Sequence, residues 1–178
     1  MDLYEKTISK EDIYSGKIFN IEKVNVLLPN GKNAQRDIVR HNGGVSIVAV
    51  KNDGKILFVE QFRKTIDESI LEIPAGKIEK GEDVSKCSIR ELEEETGYKT
   101  NEVKFLGKIV MAPGFSDEII YVYYANELYK GEKGGDDDEF INVHEFTLDE
   151  INKMILEGRI FDSKTISAIK MYENAMKR

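Results

Sequence analysis

Residues 76–98, GKIEKGEDVSKCSIRELEEETGY, decide how the rest of the chain is read. Their carboxylates matter by spacing more than by number. From Arg90 onward the segment reads as a helix. At about 100° per residue, Glu91, Glu94 and Glu95 (i, i+3, i+4) then project from one face. Like charges so close repel, and a helix has no structural reason to gather them unless a cation sits there. A hard divalent ion, which takes oxygen ligands, meets that need. Gly76 lets the chain turn tightly ahead of the helix, and Gly97 stops it just after the last carboxylate.

The pattern is Gly, five residues, Glu, seven residues, then Arg-Glu-Leu-x-Glu-Glu-x-Gly, carried by Gly76, Glu82, Arg90, Glu91, Leu92, Glu94, Glu95 and Gly97. It resembles the signature of the Nudix hydrolases. The departure is Tyr98, where the family usually carries an aliphatic residue in a packing position. A Glu- and Lys-rich helix is ordinarily a solvated face, but a solvated face does not require this many fixed positions.

Bulk properties bound the rest. A chain of 178 residues suits one domain, or one with a small extension, and can bury a core. The net charge is −7 and no basic run appears, which argues against nucleic-acid backbone or anionic membrane as partner. The single cysteine, Cys87, excludes an internal disulfide framework and suits a reducing cytoplasm. It precedes Glu91 by one helical turn and is expected to pack as a small apolar residue. Residues 1–10 mix acids with apolar residues and show no leader-like segment, and no run is long enough to span a membrane. The expectation is a cytoplasmic protein.

Along the chain, residues 4–9 and 18–28 alternate apolar and polar residues, and Pro29-Asn30-Gly31-Lys32 signals a turn into a return strand at 33–40. This portion is too small to fold alone and is expected to lean on the rest or on a second subunit. The near-continuous apolar run 45–50 suits a buried strand. Residues 55–62 form the next strand, 71–74 a short extended lead, and 103–111 and 118–125 strands around the loop 112–117. The acidic stretch 131–139 precedes a strand at 140–146. Thr147 is placed to cap a helix over 148–156, with Gly158 beyond its end. A last helix covers 163–176, with Ile166, Ile169, Tyr172 and Met176 along one face. The predicted class is α/β (α+β), a mixed sheet sandwiched by helices. The division is 1–40, a small β-strand subdomain, and 41–178, the span of the Nudix α/β/α sandwich that the resemblance implies.

The resemblance also implies site residues. Glu91, Glu95 and the backbone carbonyl of Ala75 would hold Mg²⁺, with Mn²⁺ a possible substitute, and Glu94 would bind a further ion or order water. Arg90 would hold a catalytic glutamate in place, the alternative being a surface ion pair. Glu82 is expected at the helix start, next to the unpaired amides, as mainly structural. A further carboxylate is expected from GEKGGDDDE at 131–139, whose other reading is a solvated acidic loop. The DDEFINV that closes it is similar to the acidic loop and strand of the ADP-ribose pyrophosphatase branch. That likeness makes Glu139 a ligand or base and Asp137 a second acid, with the base left open between them.

Other stretches bear on the substrate. Pro113 lies sixteen residues beyond Gly97, the spacing that marks ADP-ribose pyrophosphatases, and MAPGFSDE resembles their loop; an ordinary Pro-Gly turn is the alternative. VEQFR at 59–63 resembles a segment whose arginine, here Arg63, contacts the substrate diphosphate. LEIPAGK at 71–77 resembles the branch's lead into the box. GKIFNIEKVNVLLPNGK and QRDIVRH resemble N-terminal strands that exchange between the subunits of a homodimer and help form the adenine and ribose site. Phe19, Arg36 and Asp37 are candidates there, or else core or surface residues. The implied activity is Mg²⁺-dependent hydrolysis of ADP-ribose to AMP and ribose 5-phosphate. The alternatives are another nucleotide sugar, such as GDP-mannose or a UDP-sugar, and a non-catalytic module that senses ADP-ribose to regulate a partner.

Overall fold

The computed structural model describes residues 2–132 and 140–177, so Asp137 and Glu139 lie outside the described residues. The chain forms two compact units: Met1–Gly43 with Val110–Ile119, and Gly44–Ile109 with Ile120–Arg178.

In the first unit, β1 (Lys6–Ser15), β2 (Phe19–Leu27) and β3 (Asn33–His41) make an antiparallel sheet in that order. Register shifts between Thr7 and Ser9 and between Asp12 and Tyr14 mark bulges in β1. The first strand is thus longer than the expected 4–9: the bulges let it bend along β2 to Ser15 without losing its partner. The 29–32 turn forms as read, with Gly31 at a φ of 81°. The loop after Val110 belongs with this sheet because Val39 N–H donates to Phe115 O at 2.7 Å and Asp117 N–H donates to Val39 O at 3.2 Å.

The second unit holds the core. Its four-stranded sheet runs β7 (Ala75–Lys77), β4 (Gly44–Ala49), β10 (Ile119–Ala125), β9 (Lys104–Val110). β10 is parallel to β4 and β7 antiparallel to it. A second, antiparallel sheet orders β12 (Ile141–Phe146), β5 (Ile56–Arg63), β6 (Glu68–Glu72). Every residue of β4 is buried, which explains its near-continuous apolar run. Its alternate residues serve two cores. Val45, Ile47 and Ala49 pack with Cys87 and Leu92 of α1 (Val84–Thr96). Val48 instead joins Ile151 and Met154 of α2 (Leu148–Leu156) and Ala168 and Ile169 of α3 (Ser163–Met176). Helices thus cover the two faces, the expected mixed sandwich. No helix among the described residues is long and apolar enough to cross a membrane.

The helix limits follow local chemistry. Thr147 and Glu150 form a capping box at α2, and Asp162 caps α3. Met176, expected on the packed face of α3, is 51% exposed because the helix outruns the core in its last turn. Two short strands not foreseen, β8 (Tyr98–Lys99) and β11 (Tyr129–Lys130), pair antiparallel just beyond α1.

Candidate active site

The site is built where β7 meets α1. Asp83, not Glu82, caps the helix: its side chain accepts from Ser85 N–H and Lys86 N–H, both at 3.0 Å. Glu82 stands one residue too early to reach those amides. It accepts instead from Glu79 N–H at 3.0 Å and from Arg90. The structural part expected of Glu82 is therefore played on Arg90 and not at the helix terminus. Gly97, in the left-handed region at φ 68°, closes α1 by donating its N–H to Glu93 O.

Arg90 is the hub. Its Nε and Nη2 take both oxygens of Glu82 at 2.9 and 3.0 Å, a bidentate pair. Its Nη1 reaches Glu91 at 2.9 Å and Glu94 at 2.7 Å. One cation thereby offsets the repulsion that the helical spacing builds in. The Arg90 guanidinium holds Glu82 down to about 2, and the glutamates in turn raise Arg90 itself. Cys87 is fully buried on the same helix, so it packs as expected, and desolvation lifts its thiol to about 12.

Glu91 and Glu95 meet the lead strand. Ala75 N–H donates to Glu95 Oε2 at 2.9 Å. The Glu91 carboxyl lies directly over Gly76: a Cβ there would sit 1.9 Å from Glu91 Cδ. Gly76 is needed for this approach, more than for a turn. Two carboxylates therefore lie against the backbone at 75–76, an all-oxygen set suited to a hard divalent cation. Glu94 is drawn to Arg90. Among the described residues no group of three or more acidic, imidazole or thiol side chains gathers as a metal centre.

Arg63, at the end of β5, donates from Nε to Glu72 Oε2 at 2.8 Å, and its Nη2 lies 2.7 Å from the same oxygen. The Glu72 side chain is almost completely buried, whereas that of Arg63 is 37% exposed. Lys164 contacts the other Glu72 oxygen, and Asp162 accepts from Lys164 at 3.0 Å. Burial raises the Asp162 carboxyl, but Lys164 and Thr165 outweigh it and hold it below the usual range. Sequence reading passed over Glu72. Its one signal is its place two residues after buried Ile70 in an alternating strand, which aims a carboxylate inward.

Glu93 was also missed, though it is only 4% exposed at the variable position of the box. It pairs with Lys99 at 2.8 Å and accepts from Glu132 N–H at 3.1 Å. Tyr98, the departure from the family pattern, packs against the α1 core and lies under the Lys130 ammonium, 3.8 Å from the ring centroid. An aromatic ring at this packing position thus gains a cation contact.

The remaining candidates belong to the first unit. Arg36 is paired with Glu5 through Nε at 3.0 Å and Nη2 at 2.6 Å. Asp37 is exposed on β3, and Phe19 lies against Tyr14 with ring centroids 5.7 Å apart. Pro113 is exposed in a loop turned by Ser116 N–H donating to Ala112 O at 2.8 Å. Asp117 accepts from His41 N–H at 2.8 Å and from Arg40 at 3.0 Å, fixing the loop on β3.

Comparisons with known proteins bear on the family and the fold. Residues 40–169 match the NUDIX domain family model. The chain is 49% identical over 168 residues to methanol dehydrogenase activator of Bacillus methanolicus, covering 93% of this chain and 91% of that protein. It is 45% identical over 170 residues to ADP-ribose pyrophosphatase of Bacillus subtilis, covering 94% and 92%. A crystal structure of an ADP compounds hydrolase shares the fold, with a TM-score of 0.87 over 99% of this chain and 97% of that one, at 22% identity. With the box intact from Gly76 to Gly97 and the family model spanning the catalytic unit, the chain belongs to the Nudix hydrolases.

Proposed function

We propose that the protein hydrolyses ADP-ribose to AMP and ribose 5-phosphate with Mg²⁺ as cofactor and Mn²⁺ as substitute. The observation that carries this reading is the approach of Glu91 and Glu95 to Ala75 and Gly76, in a chain 45% identical to an ADP-ribose pyrophosphatase. Ala75, Glu91 and Glu95 would hold the metal, with Glu94 and Glu139 as further ligands. When bound, a divalent ion there supplies charge neutralisation for the diphosphate and acidifies water. The chain's own residues do the rest. Arg90 fixes Glu91 and Glu94 so that they need not reorganise on binding. Arg63 offers a charge-assisted contact to phosphate. Glu139 or Asp137 takes the proton from the attacking water. The water oxygen bonds to one phosphorus, the bridging P–O bond breaks, and the other phosphate leaves.

In this reading the first unit supplies the adenosine end through Phe19, Arg36 and Asp37, with Pro113 on the specificity loop. Its exposed Ile8, Ile13 and Tyr14 support a homodimer with exchanged N-terminal strands. A cytoplasmic setting suits the buried free thiol of Cys87.

The test is a panel of ADP-ribose, GDP-mannose and a UDP-sugar with purified protein and Mg²⁺. ADP-ribose is expected to show the highest kcat/KM and to yield AMP. A higher value for either of the others moves the assignment to that sugar nucleotide.

A second reading, regulation of a partner dehydrogenase, is favoured by the 49% identical activator. Stimulation of a methanol dehydrogenase by protein that leaves ADP-ribose intact would select it.

A further inference from the structure

Residues 72–76, which lead into and open the box, are each held or closely approached by β4, β5, α1 or α3. Thr165 Oγ1 accepts from Ile73 N–H at 3.0 Å. Pro74 has no N–H to satisfy, and its carbonyl accepts from Ile47 N–H at 2.9 Å. Ala75 N–H is held by Glu95, and Gly76 lies under Glu91. Glu72 opens the series, 2% exposed, with Arg63 on one oxygen and Lys164 on the other. Lys164 and Thr165 are themselves fixed by Asp162, which accepts from both and caps α3. The α3 N-terminus therefore braces both the strand that carries Ala75 and the carboxylate that carries Arg63.

A carboxylate this buried is stable only while its cations stay in place. Lys164 alone would offset one charge. Glu72 instead shares its second oxygen with Arg63, whose Nη1 takes no part in that ion pair. The guanidinium is planar, so fixing Nε and Nη2 on a buried anchor fixes the direction of its outer edge. From this geometry we infer that Glu72, backed by Lys164, is a positioning residue. It acts through Arg63 to hold the guanidinium edge at the substrate's diphosphate, in register with β7 at Ala75 and Gly76. The inference rests on the reading of Arg63 as the diphosphate contact.

The experiment is a double-mutant cycle, Arg63→Ala, Glu72→Gln and both together, assayed for kcat, KM and Tm with ADP-ribose and saturating Mg²⁺. Arg63→Ala is expected to raise KM about tenfold, the worth of one charge-assisted contact. Glu72→Gln should do nearly the same, with kcat within about threefold, and the pair should be no worse than Arg63→Ala alone. A KM for Glu72→Gln equal to wild type, or effects that multiply in the pair, overturns the positioning role. An unchanged KM for Arg63→Ala overturns the diphosphate reading and this inference with it. A purely structural Glu72 would lower Tm and leave KM in place. Should Glu72→Gln not fold, Glu72→Asp keeps the charge but withdraws it by one methylene. Its KM should rise in wild type and not in the Arg63→Ala background, and an unchanged KM in wild type again overturns the inference.

Discussion

Gly76→Ala tests the site without removing a ligand. A Cβ at position 76 would lie 1.9 Å from Glu91 Cδ and 2.1 and 2.2 Å from its oxygens. Ordinary contact begins at 3.4 Å, so the Glu91 carboxyl must retreat by about 1.5 Å. The obstacle is the far end of a flexible side chain, and Gly76 is not among the positive-φ glycines, so alanine is tolerated by the backbone. Reduced freedom of the unfolded chain adds about 0.4–1 kcal/mol in favour of alanine. Net stability should therefore change by no more than about 1 kcal/mol, or about 2–4 °C in Tm for a chain of this size. Function should respond quite differently. A misplacement of about 1 Å at a catalytic group costs on the order of a hundredfold, so kcat/KM for ADP-ribose should fall at least that far. Half-saturation by Mg²⁺ should rise with it. The measurements are steady-state rates across a Mg²⁺ series and a calorimetric melt. Wild-type activity would refute the reasoning, since Glu91 would then have moved without consequence.

Acid should unfold the protein partly through Glu82. Its carboxyl, held at about 2 by Arg90 instead of its usual 4.5, contributes stability that is complete above pH 4.5 and lost as pH falls toward 2. The interval corresponds to about 3 kcal/mol at most, and partial exposure of Arg90 reduces the expectation to about 1–2 kcal/mol. Denaturant melts of wild type and Glu82→Gln should converge near pH 2 and diverge by pH 6; parallel curves would count against the pair. Cys87, raised to about 12 and buried, should resist thiol reagents at pH 8 until the protein is unfolded, and rapid labelling of native protein would contradict its packing. Thr147→Ala removes half of the capping box and should cost about 1 kcal/mol in urea melts, leaving kcat/KM unchanged. An unaltered midpoint would show that α2 does not depend on its cap.

Legibility in the sequence followed the range of the interactions. The helix at 84–96, its glycine stop, the α2 cap and the buried β4 run are written in neighbouring residues, and periodicity reads them. Asp83 against Glu82 was an error of a single position, in which geometry at the cap outranks the motif. The Arg63–Glu72–Lys164 ion pairs were invisible because Glu72 and Lys164 stand 92 residues apart, and no local pattern encodes which cation a buried acid will meet. The docking of the 110–119 loop on Val39, through Asp117 and the backbone, was hidden for the same reason. Gly76 could be read as conformationally permissive, but the need for space under Glu91 required coordinates.

The central claim, that Glu95 helps hold the divalent cation for diphosphate hydrolysis, is tested most directly by turnover of ADP-ribose in Glu95→Gln. The glutamine oxygen can still accept from Ala75 N–H, the 2.9 Å bond that Glu95 makes now, so the fold and Tm should be kept. The charge on the ligand is lost. The account predicts a fall in kcat of at least a hundredfold, about 2.7 kcal/mol, at saturating Mg²⁺. A Glu95→Gln protein that turns over ADP-ribose at the wild-type rate would contradict it.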